Sequence, residues 1–285
     1  MYQAFYGFAE APFNLTPDPK FLFMTGDQRE ALAYLTYGIR RRQGILVLTG
    51  EVGVGKTLIL RTLLSQLDVS VQSALVMDAM LPFNQLLRMA LLDFGLQPKR
   101  GKLDMLMALQ AYLLDLHAAG RNAVIVIDEA QNLSPAGLEE IRLLSNLETH
   151  TEKLLQIILV GQPELKATLN SHRLRQLRQR IPGMCELHPL TPSGVGEYIE
   201  HRVRVASEGR AARLFDAEAV QAVVQHSQGI PRLINSVCDR ALLIGYVNDQ
   251  RTIGVTTVRE AIAEIDRGFG PGRRADEAAM TGAAK

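Results

Sequence analysis

The sequence predicts an α/β fold: a parallel sheet with helices on both faces, followed by a small all-helical domain. Three observations predict it. Ile45 to Leu64, ILVLTGEVGVGKTLILRTLL, reads as a strand, a glycine loop and a helix in succession. Two further apolar runs, VIVI and LLQIILV, alternate with helical patterns, as parallel strands joined by right-handed crossovers do. From Thr191 onward the strand-like runs stop and only helical patterns remain.

Residues 1–26 gather Phe5, Tyr6, Phe8, Phe13, Phe21 and Phe23 together with Pro12, Pro17 and Pro19. That density of rings and prolines predicts an extended strap that needs a surface to pack against. Gln28 to Arg42 reads as an amphipathic helix with Ala31, Leu35 and Ile39 on one stripe. Its last residues, Arg40, Arg41 and Arg42, suit the negative end of the helix dipole. Ile45 to Thr49 is a buried parallel strand.

Next comes Gly50-Glu51-Val52-Gly53-Val54-Gly55-Lys56-Thr57, which fits G-x-x-x-x-G-K-[ST] at every position. Gly50, Gly53 and Gly55 lack a Cβ, so the loop can approach a ligand closely. Its N–H groups would then converge on an anion at the positive end of the following helix, Leu58 to Leu67. Lys56 would neutralise the β and γ phosphates of a nucleotide, and Thr57 would hold Mg²⁺ through its hydroxyl. The binding stretch runs from Gly50 to Leu58, with ATP and Mg²⁺ as the expected occupants. With a nucleotide there, the N-terminal strap has two readings: it lies over the domain, or it also closes over the adenine.

Ser73 to Met77 reads as a short strand ending at Asp78, and Pro82 to Phe94 and Leu103 to His117 as helices. Ala123 to Ile127 is a β-branched run ending in Asp128-Glu129. Ligands of a parallel sheet sit at the carboxyl ends of its strands. Asp128 is expected to bind Mg²⁺ through its water shell, and Glu129 to orient and activate the attacking water. Ser134 is placed as an N-cap with Pro135 in the first turn. Leu154 to Val160 is a third buried strand, and Gln162 beyond its end is placed to contact the γ-phosphate or the lytic water. Residues 164–181 read as an arginine-rich helix. The stretch HRLRQLRQR within it has three readings: a solvated basic face, a finger arginine reaching a neighbouring subunit's nucleotide (Arg180, then Arg178), or a nucleic-acid contact. Met184 to His188 reads as a final strand.

Pro192 to Ala206, Asp216 to Ser227, Pro231 to Tyr246 and Thr256 to Ile265 read as the helices of a second domain. Arg232 sits near a helix N-terminus, where the dipole disfavours a cation; a nucleotide phosphate as partner would explain it. Beyond Gly268 the chain is small and polar and predicts a disordered tail. The expected boundaries are 1–26, 27–190, 191–267 and 268–285.

Apolar residues are 47% of the 285, enough for a full core. A net charge of +1 gives no global attraction to nucleic acid or anionic membrane. Cys185 and Cys238 lie far apart without metal or redox spacing, which suits a reducing cytoplasm. The N-terminus lacks the pattern of a secretory signal, and no apolar window is long enough for a membrane span.

Taken together, FYGFAEAPFNLTPDPKFLF, EALAYLTYGI, LTGEVGVGKT, VIDEAQNLS, LVGQPEL, RQRI and GIPRLIN resemble the AAA+ ATPases, and within them the ExeA-type (general secretion pathway protein A) branch. The resemblance covers roughly residues 1–245. It implies a P-loop NTPase sheet with a helical lid, Gln162 as sensor 1, Arg180 as the finger and Arg232 as sensor 2. It also implies ATP hydrolysis in a ring-like homo-oligomer with nucleotide at the subunit interface, energising assembly of an envelope secretion, pilus or polysaccharide-export system. Longer members of that branch carry a membrane span and a peptidoglycan-binding region after the ATPase. The expectation here is a short soluble form, cytoplasmic or peripheral at the inner membrane, acting through a separate membrane protein. A DNA-associated regulator of the transposition type is the alternative, disfavoured by the near-zero net charge.

Overall fold

The computed structural model describes residues 1–77, 79–210 and 213–268. In chain order the elements begin with α1 (Tyr2–Tyr6), α2 (Gly26–Arg40), β1 (Ile45–Gly50), α3 (Lys56–Gln66), β2 (Val71–Val76), α4 (Phe83–Asp93), α5 (Lys102–Ala118) and β3 (Asn122–Ile127). They continue with α6 (Pro135–Leu144), β4 (Gln156–Gly161), α7 (Pro163–Leu169), α8 (Arg175–Arg178), β5 (Met184–Leu187), α9 (Pro192–Ala206), α10 (Ala217–Ser227), α11 (Pro231–Val247) and α12 (Val255–Gly268). They fall into two units, Met24–His188 and Met1–Phe23 with Pro189–Lys285.

The first unit is the α/β one. Its five strands are all parallel and lie in the order β2-β3-β4-β1-β5. β1, β3 and β4 are buried at every position, which is why they read as continuous apolar runs rather than alternating ones. β4 lies between β1 and β3, with Thr49 opposite Gly161 and Ile127 opposite Leu159. Three strand ends are thereby brought side by side at one edge of the sheet. Helix α2 packs close to β1 at Gly38, where a Cβ would come within 2.4 Å of the Leu46 side chain. α2 is opened by a capping box between Thr25 and Gln28, two residues earlier than the apolar pattern suggests.

At the opposite edge, the arginine run after α2 is partly consumed by structure. Arg42 donates to Asn122 Oδ1 and the Arg121 carbonyl, each at 3.0 Å, and pairs with Glu152.

Further elements depart from expectation in this unit, among them β2, which spans Val71–Val76 rather than Ser73–Met77. β4 begins at Gln156 rather than Leu154 and runs on to Gly161. The single helix expected over 164–181 is broken: α7 ends at Leu169 with Asn170 as its C-cap, Ser171 is extended, and a 3₁₀ turn over His172–Leu174 leads into the short α8. Asn and Ser bond to nearby backbone or side chains as readily as they continue a helix. Here the Asn170 Oδ1 accepts from Arg178 instead. Leu174 and Leu177 stay buried across the break.

The second unit is helical, and the aromatic N-terminus belongs to it. Tyr2–Tyr6 is helix α1 and Pro19–Phe21 a 3₁₀ turn, so the segment is not the wholly extended strap that its prolines suggested. Gly7 ends α1 in the left-handed conformation at φ 75°. Phe8, Phe13 and Phe21 join one core with residues of α9, α10, α11 and α12. The Tyr2 hydroxyl donates to Asp239 and the Tyr6 hydroxyl to the Gln250 carbonyl. Arg202, 4% exposed, clamps the segment from α9. Its guanidinium donates to the Pro12 and Asn14 carbonyls and to the Tyr198 hydroxyl, and lies 4.7 Å from the centre of the Phe21 ring. The expected disordered tail from Gly268 onward lies, past the end of α12, outside the described residues.

Candidate functional site

The glycine loop and the Asp-Glu turn meet at the carboxyl edge of the sheet. Gly53 and Gly55 take φ of 85° and 106°, left-handed values that favour glycine. Gly55 caps α3, so Lys56 and Thr57 are its first two residues, earlier than the apolar pattern indicates. Gly50 is required for a different reason. A Cβ there would stand 2.6 Å from the Leu187 carbonyl of β5. Glu51 and Val52 are exposed on the loop, and Val54 is buried beneath it. Leu58 continues α3 half-buried.

Lys56 is buried, and its Nζ donates to the Gly50 and Glu51 carbonyls at 2.7 and 2.9 Å. Burial pushes its ammonium below the ordinary lysine value; the carboxylates of Glu129, Asp128, Glu51 and Glu164 work against that. The Thr57 hydroxyl donates to Asp128 Oδ2 at 3.3 Å, across the end of β4. Asp128 is 4% exposed. Burial raises its carboxyl above the usual range; the Glu129 N–H, donating to Oδ1 at 2.9 Å, pulls it down, and the negative charge of Glu129 adds to the rise. The Thr57 hydroxyl and Asp128 carboxylate are hard oxygen donors, the chemistry that suits Mg²⁺ bound through one carboxylate, water and phosphate. No group of three or more His, Cys, Asp or Glu among the described residues could cage a metal by itself.

Glu129 sits in the left-handed region at φ 52°, uncommon for a residue with a side chain. Its Oε2 accepts from Gln131 Nε2 at 2.6 Å and from Gln162 Nε2 at 3.3 Å. The Gln162 N–H in turn donates to Gln131 Oε1 at 3.0 Å. Five residues expected from sequence, Lys56, Thr57, Asp128, Glu129 and Gln162, are therefore brought together. Gln131 was missed, although it stands in the quoted run VIDEAQNLS two residues after Glu129; a turn there would fold it back, which periodicity does not show.

The three arginines expected to act are placed differently. Arg180 donates through Nη1 to Ser145 Oγ at 3.2 Å, at the end of α6, and Arg178 bonds Asn170. Arg232 is exposed at the second position of α11 in the helical unit, behind Pro231. The arrangement as a whole can seat a phosphate chain on backbone N–H groups and a buried cation, and it sets a carboxylate beside them to accept a proton.

Residues 39–169 match the AAA domain family. The chain is 43% identical over 255 residues to general secretion pathway protein A of Aeromonas hydrophila, covering 89% of this chain and 46% of that protein. It thus spans less than half the length of that relative. In fold it is similar to the Aeropyrum pernix ORC2 protein in its ADPNP-ADP complexes (17% identity, TM-score 0.68, 90% of this chain and 72% of that one). It is also similar to Drosophila ORC bound to DNA (15% identity, TM-score 0.64, 90% and 66%). A Thermotoga maritima RuvB Holliday junction branch migration motor matches at 17% identity and TM-score 0.52, over 84% and 69%. At such identities these likenesses speak for the fold alone.

Proposed function

The chain belongs to the AAA family of general secretion pathway protein A type, and from that premise we propose that it is a Mg²⁺-dependent ATPase. One observation carries the reading: Lys56, Thr57, Asp128 and Glu129 converge at one sheet edge although 71 positions separate Thr57 from Asp128. Phosphoryl transfer asks mainly for positioning and charge stabilisation. In this reading the loop from Gly50 to Leu58 seats the triphosphate, and Lys56 exchanges its carbonyl partners for phosphate oxygens. Thr57 and Asp128 hold the Mg²⁺, which supplies neutralisation of developing phosphate charge. Glu129 takes the proton of the attacking water, and Gln162 contacts the γ-phosphate or that water.

The remaining roles extend the same reading. Arg232 serves as the lid's sensor arginine, and Arg180 reaches the nucleotide of a neighbouring subunit in a homo-oligomeric ring. The similarity to general secretion pathway protein A supports a role connected with secretion; beyond it, the reading is of a cytoplasmic ATPase, peripheral at the inner membrane through a protein partner, energising assembly of an envelope secretion, pilus or polysaccharide-export system. No helix among the described residues is long and apolar enough to cross a membrane.

The test is ATP turnover and ATP affinity of wild type and Glu129→Gln. We expect the variant to bind ATP within about threefold of wild type while turnover falls about 10²–10⁴-fold. Equal turnover in the two would remove Glu129 from the chemistry. Tight DNA binding with a steep salt slope would overturn the secretion part of the reading.

A further inference from the structure

We propose that Gln131 is a positioning residue for hydrolysis, whose side-chain amide holds the Glu129 carboxylate by one oxygen and ties it to the main chain at the end of β4. The proposal rests on the reading of Glu129 as the group that activates water.

The orientation of the Gln131 amide follows from its partners. The Gln162 backbone N–H can only donate, so the amide oxygen must face it, at 3.0 Å. The NH₂ is then turned to Glu129, an acceptor, at 2.6 Å. A neutral donor on a carboxylate makes a charge-assisted bond, stronger than a bond between neutral groups. The turn that allows this is local. Glu129 takes φ 52° and precedes a 3₁₀ turn over Ala130–Asn132, with the Asn132 N–H donating to the Glu129 carbonyl at 2.9 Å. The next strand leaves the necessary room. A Cβ on Gly161 would stand 2.9 Å from Gln131 Oε1 and 3.2 Å from its backbone nitrogen, so glycine at the end of β4 is what lets Gln131 lie against it.

Among the described residues, the donors to the Glu129 carboxylate, from Gln131 and Gln162, both converge on Oε2. Oε1 is thereby presented as the oxygen that takes the water proton. A carboxylate held by one oxygen keeps its direction without surrendering its basic site. The same amide couples Glu129 to the backbone of Gln162, so any movement of the β4 end re-aims the carboxylate. Misplacing a catalytic group by about 1 Å can cost on the order of 100-fold in rate.

The experiment measures kcat, KM and directly determined ATP Kd for wild type, Glu129→Gln, Gln131→Met and Gln131→Glu. Methionine keeps the length and bulk of glutamine but neither bonding group. Glutamate keeps the shape but sets a second carboxylate against Glu129. We expect kcat to fall about 10–100-fold in Gln131→Met with Kd within about threefold of wild type, and to fall further in Gln131→Glu. Should Gln131→Met not fold, Gln131→Asn carries the same expectation, since it is one methylene too short to span both partners. Unchanged kcat overturns the proposal, as does a loss of ATP affinity equal to the loss of kcat, which would make Gln131 a mere support of the pocket. If wild type and Glu129→Gln turn over equally, the functional reading itself fails; if only Glu129→Gln is impaired, this inference alone fails.

Discussion

Both units bury charge, and they do so to opposite ends. In the helical unit Arg202 spends all of its nitrogens: Nε on the Pro12 carbonyl, Nη1 on Tyr198, Nη2 on the Asn14 carbonyl, with its face against Phe21. In the α/β unit Lys56 spends two bonds of a three-donor ammonium, both on carbonyls of the loop it serves. Asp128 has one partner on each oxygen, and a carboxylate can accept about four bonds. Arg202 uses three of its five N–H donors, but its bonds to the Pro12 and Asn14 carbonyls and its face on Phe21 tie one segment of the fold to another, which makes it a structural rivet. A buried charge with capacity to spare, aimed into a glycine loop, is a place for a ligand. Burial alone does not separate the two.

That contrast can be broken by exchanging what each charge is for. The largest effect is expected from Lys56→Ala, which should weaken ATP binding at least about 100-fold, on the order of 3 kcal/mol, with little change in urea stability. Equal ATP affinity in calorimetry would remove the phosphate role. Arg202→Met should do the converse. It leaves the buried Pro12 carbonyl, the Asn14 carbonyl and the Tyr198 hydroxyl without a charged donor, and we expect about 3 kcal/mol of lost stability by denaturant unfolding. A stability within error of wild type would mean the clamp on the N-terminal segment is dispensable.

A smaller effect tests whether a second subunit completes the site. Arg180→Ala and Glu129→Gln subunits, each impaired alone, should recover part of the turnover when mixed. No recovery at any ratio would return Arg180 to its partner Ser145 as a residue of local structure.

The smallest effect concerns the cost of keeping Asp128 charged. Because burial raises its carboxyl, the folded chain favours the proton more than the unfolded chain does. Stability from this source is present below the ordinary carboxyl range and is lost as the pH rises through the raised value. Asp128→Asn should therefore melt slightly higher than wild type at neutral pH, and the gain should vanish in acid. The same proton competes with Mg²⁺, so Mg·ATP affinity of wild type should already fall as the pH is lowered from neutral toward the ordinary carboxyl range. A flat affinity over that range would contradict the rise.

Much of this molecule is legible in its residue order, for a physical reason. Glycines that allow left-handed turns, β-branched runs that bury both faces of a strand and caps that start helices all act over a few residues. So the phosphate loop, the Asp128-Glu129 turn, the parallel strands and the helical second half could be read directly. Tertiary structure alone decided the rest. It set β4 between β1 and β3, which carries Thr57 to Asp128. It folded residues 1–23 onto helices α9 to α12 through Arg202, a pairing some 190 positions apart that no periodicity announces. It also closed Gln131 onto Glu129 and the end of β4, a contact that depends on an absent Cβ at Gly161 and becomes visible only when two distant loops share one edge of a sheet.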